Sequence, residues 1–233
     1  MSNALAVSGN PTKAFAAATR IQQSLIAAAE ERTLIWLAVR TPAWINSDHL
    51  TAIGFVSQCS AGMCYALSRL NPHMLVVGIV CLALNWLGDS LDGTLARVRN
   101  RQRPRYGFYV DHITDTIAAL FLMGGLVVSG YVHPAIALGM LVAFLMLSIE
   151  AYLATYTLGK FQLSYWKFGP TEIRILLAIG NVALLRNPII KIFSRQVLLF
   201  DLGGLVAIAG MSCMLIVSAI QHTAQLYKEE RIV

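Results

Sequence analysis

NWLGDSLDGTLAR (residues 85–97) and GFYVDHITDTIAAL (residues 107–120) decide the architecture of this chain. The first closes an apolar run over 74–97 and the second opens another over 107–131, and each carries two aspartates. Asp89 and Asp92 are three residues apart, and Asp111 and Asp115 are four apart, so each pair shares one helical face. A short connection makes the two helices antiparallel neighbours, which brings both pairs to the same end. A carboxylate inside a membrane helix costs about 3 kcal/mol or more and is rare without a role. Four such anions repel unless cations lie between them, and an all-oxygen ligand set suits Mg²⁺ or Mn²⁺. Two divalent ions held close together form the usual clamp for displacement at phosphorus. The intervening residues fit that chemistry. Gly93 and Ala96 are small and lie on or beside the face of Asp89 and Asp92. Arg97 stands one turn beyond Gly93, in reach of a phosphate, and Gly107 leaves space at the start of the second helix.

Outward from this pair the chain is apolar throughout. Its 233 residues are 57% hydrophobic and 13% charged, with a mean hydropathy of +0.63. A soluble domain carries roughly a quarter charged residues, so a bilayer is the solvent that fits. Six stretches are long enough to cross it: 50–70, 74–97, 107–131, 134–158, 171–192 and 197–221. Asn71-Pro72, His133-Pro134, Gly169-Pro170 and Pro188 punctuate them. Residues 11–40 place Phe15, Ile21, Leu25 and Ile26 at helical spacing among charges, which predicts an amphipathic helix in the membrane interface. The expected organisation is an all-α polytopic membrane protein. It has an N-terminal interfacial helix and lead-in (1–49), a six-helix membrane domain (50–222) and a cytoplasmic tail (223–233). No secretory signal pattern opens the chain.

The net charge of +6 belongs to loops facing anionic lipid rather than to nucleic-acid binding. Fourteen lysines and arginines fall on the N-terminal segment, the 97–105 loop, the fourth-to-fifth connection and the tail, against four on the other side: Arg69, Arg186, Lys191 and Arg195. That imbalance predicts cytoplasmic termini and a cytoplasmic active site. The four cysteines (Cys59, Cys64, Cys81 and Cys213) lie in apolar stretches without a CxxC pair and read as small hydrophobes. The five histidines show no ligand spacing.

Asp89-x-x-Asp92-Gly93-x-x-Ala96-Arg97 followed by Gly107-x-x-x-Asp111-x-x-x-Asp115 resembles the signature of the CDP-alcohol phosphotransferases, at all eight of its fixed positions. Nine residues separate Arg97 from Gly107, about one more than is usual there, within the loop. The resemblance implies a phospholipid-biosynthetic transferase. It would move a phosphoalcohol from a CDP-linked lipid or headgroup donor to an alcohol acceptor and release CMP. It also implies that Asp89, Asp92, Asp111 and Asp115 bind Mg²⁺ or Mn²⁺, as two ions, with Asp115 the general base. Gly93, Ala96, Arg97 and Gly107 would then accommodate the CDP moiety. A homodimer is common in such proteins. Upstream, Asn46-Ser47-Asp48 stands where the family usually has Thr-Pro-Asn before Leu-Thr, and Thr51 is the corresponding nucleotide contact.

Asp111-His112-Ile113-Thr114-Asp115-Thr116 leans toward choline- and ethanolamine-type members, whereas 233 residues is short for that branch and suggests a bacterial inner-membrane protein. Glu150, inside a span, reads as a pocket residue or a helix–helix hydrogen bond. Glu172 reads as a helix N-terminal acid, or a pocket residue. Arg174 reads as a snorkelling interfacial arginine, with binding of an acceptor phosphate as its alternative. Gly204, with Gly203 and Ala207, offers a close helix contact. From another class, a membrane cation transporter also carries intramembrane carboxylates, but it would place them on broken midplane helices or inverted repeats.

Overall fold

The computed structural model describes residues 19–21, 27–162, 169–192 and 195–231. Among them are seven helices: α1 (Ala27–Arg40), α2 (Ser47–Ser68), α3 (Met74–Val98), α4 (Pro104–Ser129), α5 (Pro134–Leu158), α6 (Pro170–Arg186) and α7 (Leu199–Glu229). Four short strands accompany them. β1 (Thr19–Ile21) pairs in parallel with β2 (Lys160–Gln162), and β3 (Ile189–Ile192) pairs antiparallel with β4 (Arg195–Leu198).

Among the described residues five helices, α2 to α5 and α7, are long and apolar enough to cross a membrane, not six. The fifth candidate, 171–192, stops early. Pro188 has no N–H to offer a helix and pushes the residue before it toward extended backbone. Asn187 accordingly sits at φ −159°, ψ 115°, and the chain turns into the β3–β4 hairpin. The 17 residues of α6 measure about 25 Å, short of the roughly 30 Å hydrocarbon core. The N-terminal expectation is also trimmed. The helix runs over Ala27–Arg40, residues 19–21 are strand, and 11–18 and 22–26 lie outside the described residues.

Proline and histidine punctuation sets the other boundaries. Pro104 and Pro134 stand at the first turns of α4 and α5, where a missing N–H is harmless. Gly130 and Gly159 end these helices in left-handed backbone at φ 77° and 66°, which glycine adopts without strain. The substituted triplet caps α2: Asn46 Oδ1 accepts from the His49 N–H at 3.1 Å, and His49 Nδ1 accepts from the Asn46 N–H at 3.3 Å.

α2 is the central helix, packed on both α3 and α4, while α5 packs on α7 and α6 on α3. Backbone touches backbone at two places along α2. A Cβ on Gly88 would lie 2.5 Å from the Gly54 nitrogen, and one on Gly125 would run into the Gly62 backbone. The largest core cluster joins Tyr65, Leu75, Leu82, Leu126 and Leu184. Within it the Tyr65 hydroxyl donates to Asn181 Oδ1 at 2.8 Å, tying α2 to α6. A second cluster, Leu34, Ala38, Leu50, Leu91 and Leu95, seats α1 against α3. The perimeter is covered with exposed Ile, Leu, Val and Met side chains, and only 11% of the most apolar stretches of α5 and α7 is buried. That surface suits lipid and would be untenable in water. Gly204 is used within the chain, against Ile136 and Met140 of α5, and Gly203 faces open space.

Candidate active site

The second half of α3 and the first half of α4 both pack on α2, and their carboxylates meet across the gap between them. Ligand oxygens of Asp89, Asp111 and Asp115 all fall within 4.8 Å of one another. At that separation and an effective dielectric of about 20, each pair of charges repels by about 3 kcal/mol. Three such pairs sum to about 10 kcal/mol, comparable to the whole stability of a fold, so the cluster calls for cationic charge beside it. The donor set is oxygen only, which fits Mg²⁺ or Mn²⁺. Asp92 stands beside the trio and borders the same cavity. Its Oδ2 accepts from the Thr51 hydroxyl at 2.6 Å, its Oδ1 from the Gly93 N–H, and its main-chain carbonyl from Ser47 Oγ at 2.9 Å. Thr51 therefore orients Asp92 from α2, which the sequence reading did not foresee.

The cavity is lined by Thr51, Gln58, Asn85, Asp89, Asp92, Asp111, Thr114 and Asp115, with Gly54, Phe55 and Ala118 closing the apolar side. Its volume is about 10 Å³, room for one water-sized occupant. It suits an ion and is too small for a nucleotide. Gly93, Ala96, Arg97 and Gly107 lie outside it, toward the ends of α3 and α4. A Cβ on Gly93 would meet only Arg97 Nη1, at 3.6 Å, and Gly107 faces open space. Arg97 Nη2 donates to Thr94 Oγ1 at 2.9 Å. These four border open surface beside the carboxylates, where a larger ligand has access.

Two neighbours come from the far end of the sequence. Arg174, in the second turn of α6, donates through Nη2 to Asp89 Oδ2 at 2.6 Å and through Nε to Asn85 Oδ1 at 2.7 Å. It is half-buried against the site, which corrects its reading as a snorkelling interfacial residue. Asn85 precedes Asp89 by four residues and so shares its helical face, a signal open to the sequence. Glu172 caps α6, its Oε2 accepting from the Gly169 N–H at 2.9 Å. Glu150 lies away from the aspartates and bonds His222 Nδ1 on α7 at 2.6 Å, a helix–helix contact. On the flank of Asp111, the rings of Phe108, His112 and Tyr152 pack together, with His112 and Tyr152 centroids 4.7 Å apart.

The basic loop is partly structural. Arg99 donates to the main-chain carbonyls of Ile45, Thr41 and Pro42, fastening the α1–α2 linker to the end of α3. Arg103 pairs with Asp48 at the start of α2. Both contacts hold the segment carrying Ser47 and Thr51 against the aspartate helices.

Lipid-facing helices gathered around a half-buried, oxygen-only carboxylate cluster define a multi-pass membrane protein with a candidate divalent-cation site. The CDP-alcohol phosphatidyltransferase profile matches residues 44–219, and the chain belongs to that family. Its members transfer a phosphoalcohol from a CDP-alcohol and use divalent metals. A search of curated proteins finds no match to the chain.

Proposed function

We propose that this protein transfers a phosphoalcohol from a CDP-linked donor to an alcohol by in-line attack on the β-phosphorus, at a site of two divalent ions held by Asp89, Asp92, Asp111 and Asp115. The convergence of three of these carboxylates within 4.8 Å, with Asp92 on the same cavity, carries the reading. Bound Mg²⁺ or Mn²⁺ supplies charge neutralisation at the diphosphate and at the departing phosphate.

The chain's own residues supply placement and proton transfer. Asp115 accepts the proton of the acceptor hydroxyl as its oxygen bonds to the β-phosphorus. The bond from that phosphorus to the bridging oxygen breaks, and the electron pair leaves on CMP. Arg97, at the exposed end of α3, faces the side where the CDP phosphates lie and offsets their charge. Gly93, Ala96 and Gly107 leave the backbone open to the nucleotide. Thr51 contributes by holding Asp92 rather than by touching the nucleotide.

One substrate is a lipid, since the carboxylates sit at the ends of membrane helices. α6, though short of a full span, leads from Arg174 at the site to the far end of the bundle, where Asp201 of α7 accepts from the His133 N–H. α7 then returns past Glu150 of α5. Both termini and the site therefore share one side, the cytoplasmic one in keeping with the arginine-rich 97–105 loop. The His112-containing Asp-His-x-x-Asp-Thr run favours an aminoalcohol-type headgroup, and the working assembly is a homodimer in a bacterial inner membrane. The test is a donor-by-acceptor panel on purified protein, CDP-diacylglycerol and CDP-choline each against polar alcohols and diacylglycerol, with Mg²⁺ or Mn²⁺. The reading requires metal-dependent CMP release with at least one pair. Absence of CMP release across the whole panel, in protein that binds Mn²⁺, refutes it.

A further inference from the structure

α1 precedes the residues that define the family, yet it reaches the site. Its inner stripe is Glu30, Leu34 and Ala38, spaced four apart and all buried, while Ile35, Trp36 and Val39 face outward. Leu34 and Ala38 pack in an apolar cluster against α3, and Glu30 continues that stripe with a carboxylate only 7% exposed. An apolar residue would continue the packing without desolvating a charge. Glu30 instead accepts three hydrogen bonds on Oε1: from Trp86 Nε1 at 2.7 Å, Ser90 Oγ at 3.3 Å and Thr171 Oγ1 at 2.8 Å. Its Oε2 is buried without a partner among the described residues.

The three donors are placed tellingly. Trp86 and Ser90 are one turn apart on α3 and follow directly on Asn85 and Asp89, the two residues that hold Arg174. Thr171 lies one turn before Arg174 on α6. The α3–α6 seam thus has two adjoining cross-links. One is Arg174 onto Asn85 and Asp89. The other is Glu30, bridging Trp86 and Ser90 to Thr171. The second fixes the rotation of both helices about their axes, and with it the direction in which Asp89 and Arg174 point.

We propose that Glu30 is a positioning residue for the transferase site: from outside the family-defining segment it sets the α3–α6 register that aims Asp89 and Arg174. The inference rests on the proposed function for its kinetic arm and stands apart from it in its structural arm. The experiment uses the full chain in lipid nanodiscs. Glu30→Ala removes all three bonds, Glu30→Gln keeps an acceptor oxygen, and Ser90→Ala with Thr171→Val removes two donors and leaves Glu30 in place. In Glu30→Ala, kcat falls about tenfold or more while KM for the CDP donor stays within about twofold, and amides in the first two turns of α6 exchange about fivefold faster or more. Glu30→Gln restores both to within about threefold of the unaltered protein. A purely structural role would instead lower thermal stability in both variants without separating kcat from KM. Unchanged α6 exchange in Glu30→Ala, or a Glu30→Gln no better than Glu30→Ala, overturns the proposal. Should Glu30→Ala fail to fold, the double variant carries the same expectation, and unaltered kcat and α6 exchange there overturn it. Failure of the unaltered protein to release CMP counts against the proposed reaction, while the exchange comparison still decides the role of Glu30.

Discussion

Thr51→Val tests the arrangement around Asp92 most directly. The substitution preserves shape and β-branching and deletes one hydroxyl, the donor 2.6 Å from Asp92 Oδ2. Hydrogen bonds to charged groups contribute about 1.5–3 kcal/mol. Asp92 is half-buried, so water replaces part of the loss, leaving about 1–2 kcal/mol and hence about a 5- to 30-fold fall in kcat/KM. The released carboxylate also gains rotamers, so the Mn²⁺ concentration for half-maximal rate rises by a similar factor. The assay is CMP release over a Mn²⁺ titration at fixed donor, repeated over a donor titration at saturating Mn²⁺. Thr51→Ser keeps the donor and stays within about threefold of the unaltered protein. A Thr51→Val protein whose donor KM rises while its metal requirement stays put would refute the reasoning, because that pattern belongs to a hydroxyl contacting nucleotide.

Other consequences are open to simple measurement. Asp115→Asn removes the proposed base and lowers turnover by about 10²–10⁴-fold while CDP binding, read by equilibrium dialysis, is largely spared; full activity removes Asp115 from the mechanism. Gly125→Ala drives a methyl into the Gly62 backbone, destabilising the protein by about 1–3 kcal/mol, seen as a lower midpoint of thermal unfolding in detergent. Tyr65→Phe strands the buried Asn181 Oδ1 and costs about 1–3 kcal/mol in the same assay, with catalysis at permissive temperature unaffected.

The aspartates were legible because helical periodicity alone puts residues three and four apart on one face, and α3 and α4 are nearly contiguous in the chain. The apolar runs likewise announced their helices, since length and composition are what a bilayer selects. The limit of the fifth run hung on Pro188. Ile189, Ile190 and Ile192 kept the stretch apolar beyond the point where the backbone had turned into β3. Arg174 was harder to place for a different reason. It lies 85 residues from Asp89, and only the packing of α6 on α3 makes them partners. Thr51 meets Asp92 across 41 residues in the same way. Glu30 looked like one charge among several on an amphipathic segment. Which side of α1 turns inward depends on what α3 presents to it, and that is tertiary information.

The glycine contacts along α2 govern how the gap between the aspartate helices is gauged. One lies beside Asp89, and the other sits ten residues past Asp115, about 15 Å along α4. With both aspartate helices resting on it main chain to main chain, α2 works as a caliper whose jaws are peptide groups. Rotamer hops and repacking elsewhere in the interior leave the opening between α3 and α4 unaltered. A single methyl group at either jaw resets it.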